Sequence, residues 1–174
     1  MNRTLLVEQL PSLRRYARAL TGDPWAADDL VQDTLERACS KWQLWAVGTD
    51  LRAWLFTLMH NLYLNQRRTA KVSLNTVSID DVEAELHTPA AGGDGPLDLG
   101  RCLQRLPADQ RAVLLLVAVE DMSYEDAAKV LAIPLGTVMS RLSRARSRLR
   151  ELMDGGQTGA RPAAAQAPNL RLMK

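Results

Sequence analysis

The chain has 174 residues, of which 47% are hydrophobic and 24% charged, a globular balance for one ordinary domain or two small ones. No run of about 18 apolar residues occurs and the start, MNRTLLVEQLPSLRRY, has no long apolar core, so membrane insertion and secretion are not expected and a cytoplasmic protein is the default. The formal net charge of +2 averages a basic stretch, five Arg and no acid over residues 141–150, with an acidic one, one Lys and five acids over residues 71–97.

Aromatics make up 5%, with a single Phe, which disfavours a β-sandwich and suits helices of Leu and Ala. Residues 4–20 set Leu5, Leu6, Leu10, Leu13, Ala17 and Leu20 at helical spacing. Arg14, Arg15 and Arg18 take the other side. Pro11 either kinks this helix or restarts it one turn in. Thr21, Gly22, Asp23 and Pro24 form a stop and restart. A second helix follows over residues 25–42, with Ala27, Leu30, Val31, Leu35 and Ala38 inward. Its outer side is acidic: Asp29, Asp33 and Glu36 recur at i, i+4 and i+7, beside Asp28 and Gln32. Early acids suit a helix dipole, but this stripe runs over more than two turns.

Residues 43–50 are expected to be a loop, and residues 51–68 a third helix with Leu51, Leu55, Leu58 and Leu62 as its core face. Trp54, Asn61, Asn65 and Arg68 fall on a second face. A ring, two amides and a guanidinium in line could stack on and hydrogen-bond an unwound strand. The same spacing also describes a partly buried Trp on a solvated polar face, and periodicity does not separate the two.

Residues 71–97 break the pattern and contain TPAAGGDGP, a flexible acidic linker. Two short helices are expected next, one stopped by Pro107 and one up to Val119. Residues 123–149 then read as two helices around a tight turn at Ile133, Pro134, Leu135 and Gly136, with Thr137 as the N-cap of the second. Val138, Leu142, Ala145, Leu149 and Leu152 make one buried stripe. Arg141, Arg144 and Arg148 line another face beside Ser140. A row of guanidiniums after a short polar N-terminus suits a major-groove reader, although any amphipathic bundle helix can imitate it. Residues 153–174 have no periodic pattern and are expected to be a disordered tail.

No catalytic constellation is legible. Cys39, Cys102, His60 and His87 are isolated and match no metal spacing, so no metal and no cofactor are expected. No nucleophile–base pair or phosphate loop occurs.

Two blocks carry a resemblance. LPADQRAVLLLVAVEDMSYEDAAKVLAIPLGTVMSRLSRARSRLR resembles region four of bacterial extracytoplasmic-function sigma factors. ADDLVQDTLERACSKW with DLRAWLFTLMHNLYLNQRR resembles region two of the same family. The resemblance implies an all-α fold of two small helical domains, region two over residues 1–70 and a helix-turn-helix region four over residues 98–152, joined by the linker. It implies a non-enzyme, an alternative sigma factor for a stress or envelope response. Its partners would be core RNA polymerase, through the β′ clamp helices and β flap, promoter DNA, and an anti-sigma factor.

Roles carry over by position. Asp28, Asp29, Gln32, Asp33 and Glu36 match the segment that docks on the clamp helices. Asn61 matches a position lining the pocket for a flipped base of the −10 element, with Trp54, Asn65, Arg67 and Arg68 on or near that surface. Thr137, Ser140, Arg141 and Arg144 match −35 contacts, and Arg148 a phosphate contact. Met139 stands where many relatives carry Lys or Arg. Two rivals remain: a helix-turn-helix regulator that works without polymerase, and a sigma-like chain that only titrates an anti-sigma factor.

Overall fold

A computed structural model describes residues 3–45, 50–76 and 96–157. Residues 46–49 of the expected loop, most of the expected linker (77–95) and the expected tail from residue 158 lie outside the described residues. Those described form seven α-helices and one short 3₁₀ turn. The first module holds α1 (Arg3–Thr21), α2 (Pro24–Ser40), the 3₁₀ turn (Trp42–Leu44) and α3 (Leu51–Thr76). The second holds α4 (Pro96–Gln104), α5 (Ala108–Ala118), α6 (Tyr124–Leu131) and α7 (Leu135–Gln157).

α1 passes through Pro11 without a break, so the proline neither ends nor restarts it. It stops at Gly22, whose φ of 77° lies in the left-handed region that glycine enters without a Cβ clash. Asp23 then caps α2: its carboxylate accepts from the Ala26 amide at 2.8 Å, and Pro24 fills the first turn. Leu13, Tyr16, Ala17 and Leu20 of α1 meet Ala27, Leu30, Val31 and Ala38 of α2 and Leu55, Phe56 and Met59 of α3. Tyr16 stands edge-on to Phe56, with ring centres 5.1 Å apart. The buried Thr34 hydroxyl donates to the Leu30 carbonyl at 2.7 Å, which satisfies it inside this core.

In the second module the predicted stripe is buried at Val138, Leu142 and Ala145, and half-buried at Leu149 and Leu152. Ser123 caps α6 by accepting from the Asp126 amide at 3.0 Å. α7 starts three residues earlier than the sequence suggests, with Pro134 and not Thr137 in the cap position. Ala132 closes α6 in the left-handed region at φ 52°, and the Pro134 carbonyl already accepts from Thr137 and Val138. α7 therefore begins at Leu135, and Thr137 sits inside its first turn instead of capping it.

The modules pack together: α1 lies against α4 and α5, and α3 against α6. Much of the seam is polar. Gln104 donates to the Ala19 carbonyl at 2.8 Å across it. The buried Arg111 donates to Gln104 and, at 3.4 Å, to the Tyr63 hydroxyl. Glu120 receives Arg15 and Arg52. A cavity of about 470 Å³ opens between α3, α5, α6 and α7, lined by His60, Tyr63, Arg67, Asp109, Ile133 and Arg141. His60 is 7% exposed there. Its Nδ1 has no hydrogen-bond partner among the described residues. Burial, with the nearby Arg141 charge, pushes its imidazole down to about 4.

Two outcomes are expected. Gly22→Ala adds a Cβ that would lie 2.5 Å from Gln104 Cδ, at a φ that alanine adopts at a cost of about 1–2 kcal/mol. Urea denaturation should show a loss of at least that size, and Gln104→Ala in the same background should recover part of it. His60 is neutral when folded across the range where the unfolded imidazole takes up a proton. The His60 contribution to stability should therefore be flat above pH 6.5 and fall by up to about 3 kcal/mol between pH 6.5 and about 4. Thermal melts of His60→Leu should lose the His60 part of that slope; an unchanged slope would assign it to carboxylates.

Candidate functional site

Three surfaces carry the candidate residues. The first is the outer side of α2, where Asp28, Asp29, Gln32, Asp33 and Glu36 are all exposed. The opposite side buries Ala27, Leu30, Val31, Thr34 and Ala38, so helical spacing alone turns the acids outward. Gln66 of α3 donates to Asp33 at 3.0 Å, in the middle of the stripe. An open groove of about 790 Å³ runs beside it, lined by Asp28, Gln32 and Glu36 and rimmed by Arg14 and Arg18 of α1. A carboxylate face of this kind disfavours DNA and suits a basic protein.

The second surface is on α3. Asn61, Asn65 and Arg68 are exposed, and Trp54 is half-buried. Trp54 stands edge-on to Trp42 with ring centres 6.4 Å apart, and Trp42 meets Trp45 at 5.0 Å. The three indoles together support the start of α3. Arg67 points elsewhere. It sits over the Tyr63 ring at 5.8 Å and lines the cavity at the seam, away from the amides. Its guanidinium is held by the π-face of Tyr63 on the side that α5 and α7 approach.

The third surface is α7. Arg144 and Arg148 are exposed. Thr137 and Ser140 are half-buried, and the Ser140 hydroxyl donates to the Thr137 carbonyl at 3.2 Å. Arg141 Nε lies 3.2 Å from Asp109 Oδ2, with 29% of its side chain exposed, and it borders the cavity at the seam. The five α7 residues are therefore not equivalent: two arginines face solvent and one faces the other module. Met139 is 48% exposed on another side of α7, where it lines a groove with Arg146, Arg150 and Tyr124 of α6. α6 is braced by Asp126, whose carboxyl is held below its usual range by hydrogen bonds from Lys129 and Ser123. No group of three or more metal-ligating side chains occurs among the described residues.

Sequence reasoning missed the cluster at Glu120. Its carboxylate is fully buried at the end of α5, while Arg15 and Arg52 reach it from α1 and α3. The one local hint is an acid directly after the apolar run AVLLLVAV. The hydrogen bond to Glu120 raises Arg15 above the ordinary guanidinium value.

Residues 6–60 match the family model described as the Sigma2 domain of PhyR, and residues 97–149 match Sigma-70, region 4. The ECF RNA polymerase sigma factor EcfG of Rhodopseudomonas palustris is 37% identical over 157 residues, which cover 87% of this chain and 86% of that protein. The ECF RNA polymerase sigma factor SigL of Mycobacterium tuberculosis is 36% identical, covering 85% of this chain and 86% of its own. Among solved structures, the sigma factor RpoE of Bartonella quintana, crystallised with the anti-sigma factor NepR, superposes with a TM-score of 0.74 at 37% identity. That match covers 87% of this chain and 96% of RpoE. With both regions present in order and relatives similar along most of both chains, the protein belongs to the extracytoplasmic-function family of RNA polymerase sigma factors.

Proposed function

We propose that the chain works as an alternative sigma factor, with residues 1–70 as the polymerase-docking and −10 module and residues 98–152 as the −35 module. The acidic face of α2 docks on the clamp helices of core RNA polymerase. Asn61 and Asn65 of α3 receive unwound bases of the −10 element, and Arg68 neutralises their backbone. Unstacking a base costs a few kcal/mol, which edge hydrogen bonds and stacking must restore. α7 lies in the major groove of the −35 element, with Arg144 reading base edges and Arg148 holding phosphate. Thr137, Ser140 and Arg141 complete that contact, and Arg67, exposed but set over Tyr63, supports the strand from the Tyr63 side of α3. The chain performs no catalysis; the polymerase supplies the chemistry in the cytoplasm. As RpoE binds NepR, an anti-sigma factor holds this protein until a signal releases it.

The observation that carries this reading is the pairing, on one chain, of a solvent-facing carboxylate stripe on α2 with a solvent-facing arginine row on α7. A regulator that binds DNA alone has no use for the carboxylates. A second reading, a chain that only occupies an anti-sigma factor, draws on the match of residues 6–60 to a domain described from PhyR. Reconstituted transcription separates the three. Core polymerase with this chain, over a promoter library, should start at a defined promoter class. Promoter binding without core would favour the regulator, and anti-sigma binding without transcription would favour the decoy.

Two substitutions test the surfaces. Arg144→Ala should weaken −35 recognition by about 1–3 kcal/mol and relax specificity at one base pair. Run-off transcription with unchanged output would remove Arg144 from the reading set. Asp29→Lys with Asp33→Lys should lower the affinity for core polymerase and spare helix content. Wild-type affinity in fluorescence anisotropy would remove α2 from the docking surface.

A further inference from the structure

We propose that Glu120 is the keeper of an interdomain latch, with Arg15 and Arg52 as its bolts, which holds the two modules closed in the unbound chain. Arg15 Nε donates to Oε1 at 2.9 Å and Arg15 Nη2 to Oε2 at 2.9 Å. Arg52 Nη2 donates to Oε2 at 2.8 Å and to the Glu120 carbonyl at 2.6 Å. Every one of these bonds crosses from the first module to the second. The Glu120 side chain is 0% exposed, so removing either arginine strands part of a charge away from water.

The local backbone is shaped for this contact. Val119 and Glu120 both donate to the Leu115 carbonyl as α5 ends, and Asp121 turns the chain at φ 52°. A non-glycine residue at that angle is uncommon, and here it ends α5 where the Glu120 side chain meets α1 and α3. Arg15 and Arg52 keep 52% and 34% of their side chains in solvent. Separation of the modules would hydrate all three groups at once, so the same cluster that holds the closed form leaves no buried charge in the open one. The latch is thus two-state.

Closure has a consequence that rests on the sigma-factor reading. It sets Arg141 against the first module at the cavity, in addition to the ion pair that Arg141 makes with Asp109 inside its own module. A −35 helix in this state presents Arg144 and Arg148 but not its full row. Partners that need the modules apart must first exchange the Glu120 bonds.

The test uses the full chain with fluorophores at exposed Cys39 and at Ser147→Cys, in a Cys102→Ala background. Single-molecule energy transfer should give one population at the closed separation. Glu120→Gln keeps the shape and removes the charge, and should raise the separated population by about tenfold or more with unchanged circular dichroism. Arg15→Gln with Arg52→Gln changes only partly exposed side chains, should do the same, and decides the matter if Glu120→Gln loses helix content. Wild-type distributions in the folded variants would overturn the latch. The measurement contains neither polymerase nor DNA. A shifted distribution together with failed transcription would therefore count against the sigma-factor reading and leave the latch standing.

Discussion

A carboxylate taken out of water must be given cations, and at Glu120 the cations belong to the other half of the molecule. That constraint fixes much else. Arg15 must lie on the side of α1 away from its own core, and Arg52 must stand in the first turn of α3 next to Phe56, over whose ring it sits at 5.7 Å. α5 must end at the seam. Losing one partner of such a pair costs about 3–5 kcal/mol, whereas releasing all partners to water together costs far less. The seam is for that reason better described as two arrangements than as a graded contact.

The charges are also divided by use. Carboxylates cover α2, and arginines cover α7, with little mixing along either face. A carboxylate face repels a polyanion and an arginine row repels a basic surface, so the two faces suit partners of opposite charge. α3 stands between them and has two sides. Asn61, Asn65 and Arg68 face solvent, while buried His60 and Tyr63 face the second module and exposed Arg67 borders the cavity there. One helix thus carries a solvent-facing polar side and, on another side, the floor of the seam.

How much of this the sequence discloses depends on range. The inward positions Leu13, Ala17, Leu20, Val138, Leu142 and Ala145 follow from helical spacing, because burial of one stripe is a local pattern. Asp23 and Pro24 announce the restart of α2 for the same reason. The turn before α7 was misplaced because Thr137 is a good cap by type, while the carbonyl of Pro134 takes that place in three dimensions. α3 continues to Thr76, beyond residue 68, because nothing in its polar end forces a stop. Arg67 could be assigned near the amides by proximity in sequence, yet helical geometry sends it to the other side. Glu120, Arg15, Arg52 and Arg111 were legible only as charges. Their partners are set by how the modules dock, and no periodicity encodes that.

The bonds across the seam also differ from the rest in the length of chain they close. The Gln104 bond to Ala19 joins residues 85 apart, and the Glu120 bonds join residues 68 and 105 apart. The contacts within each module, such as Tyr16 of α1 against Phe56 of α3, are shorter in sequence. Contacts of long sequence separation are entropically slow to form. Gln104 also has its seat only where Gly22 has already ended α1, since any Cβ there would occupy it. Sequence separation therefore sets the docking contacts apart from those that build each module, as the ones with the highest entropic cost to close.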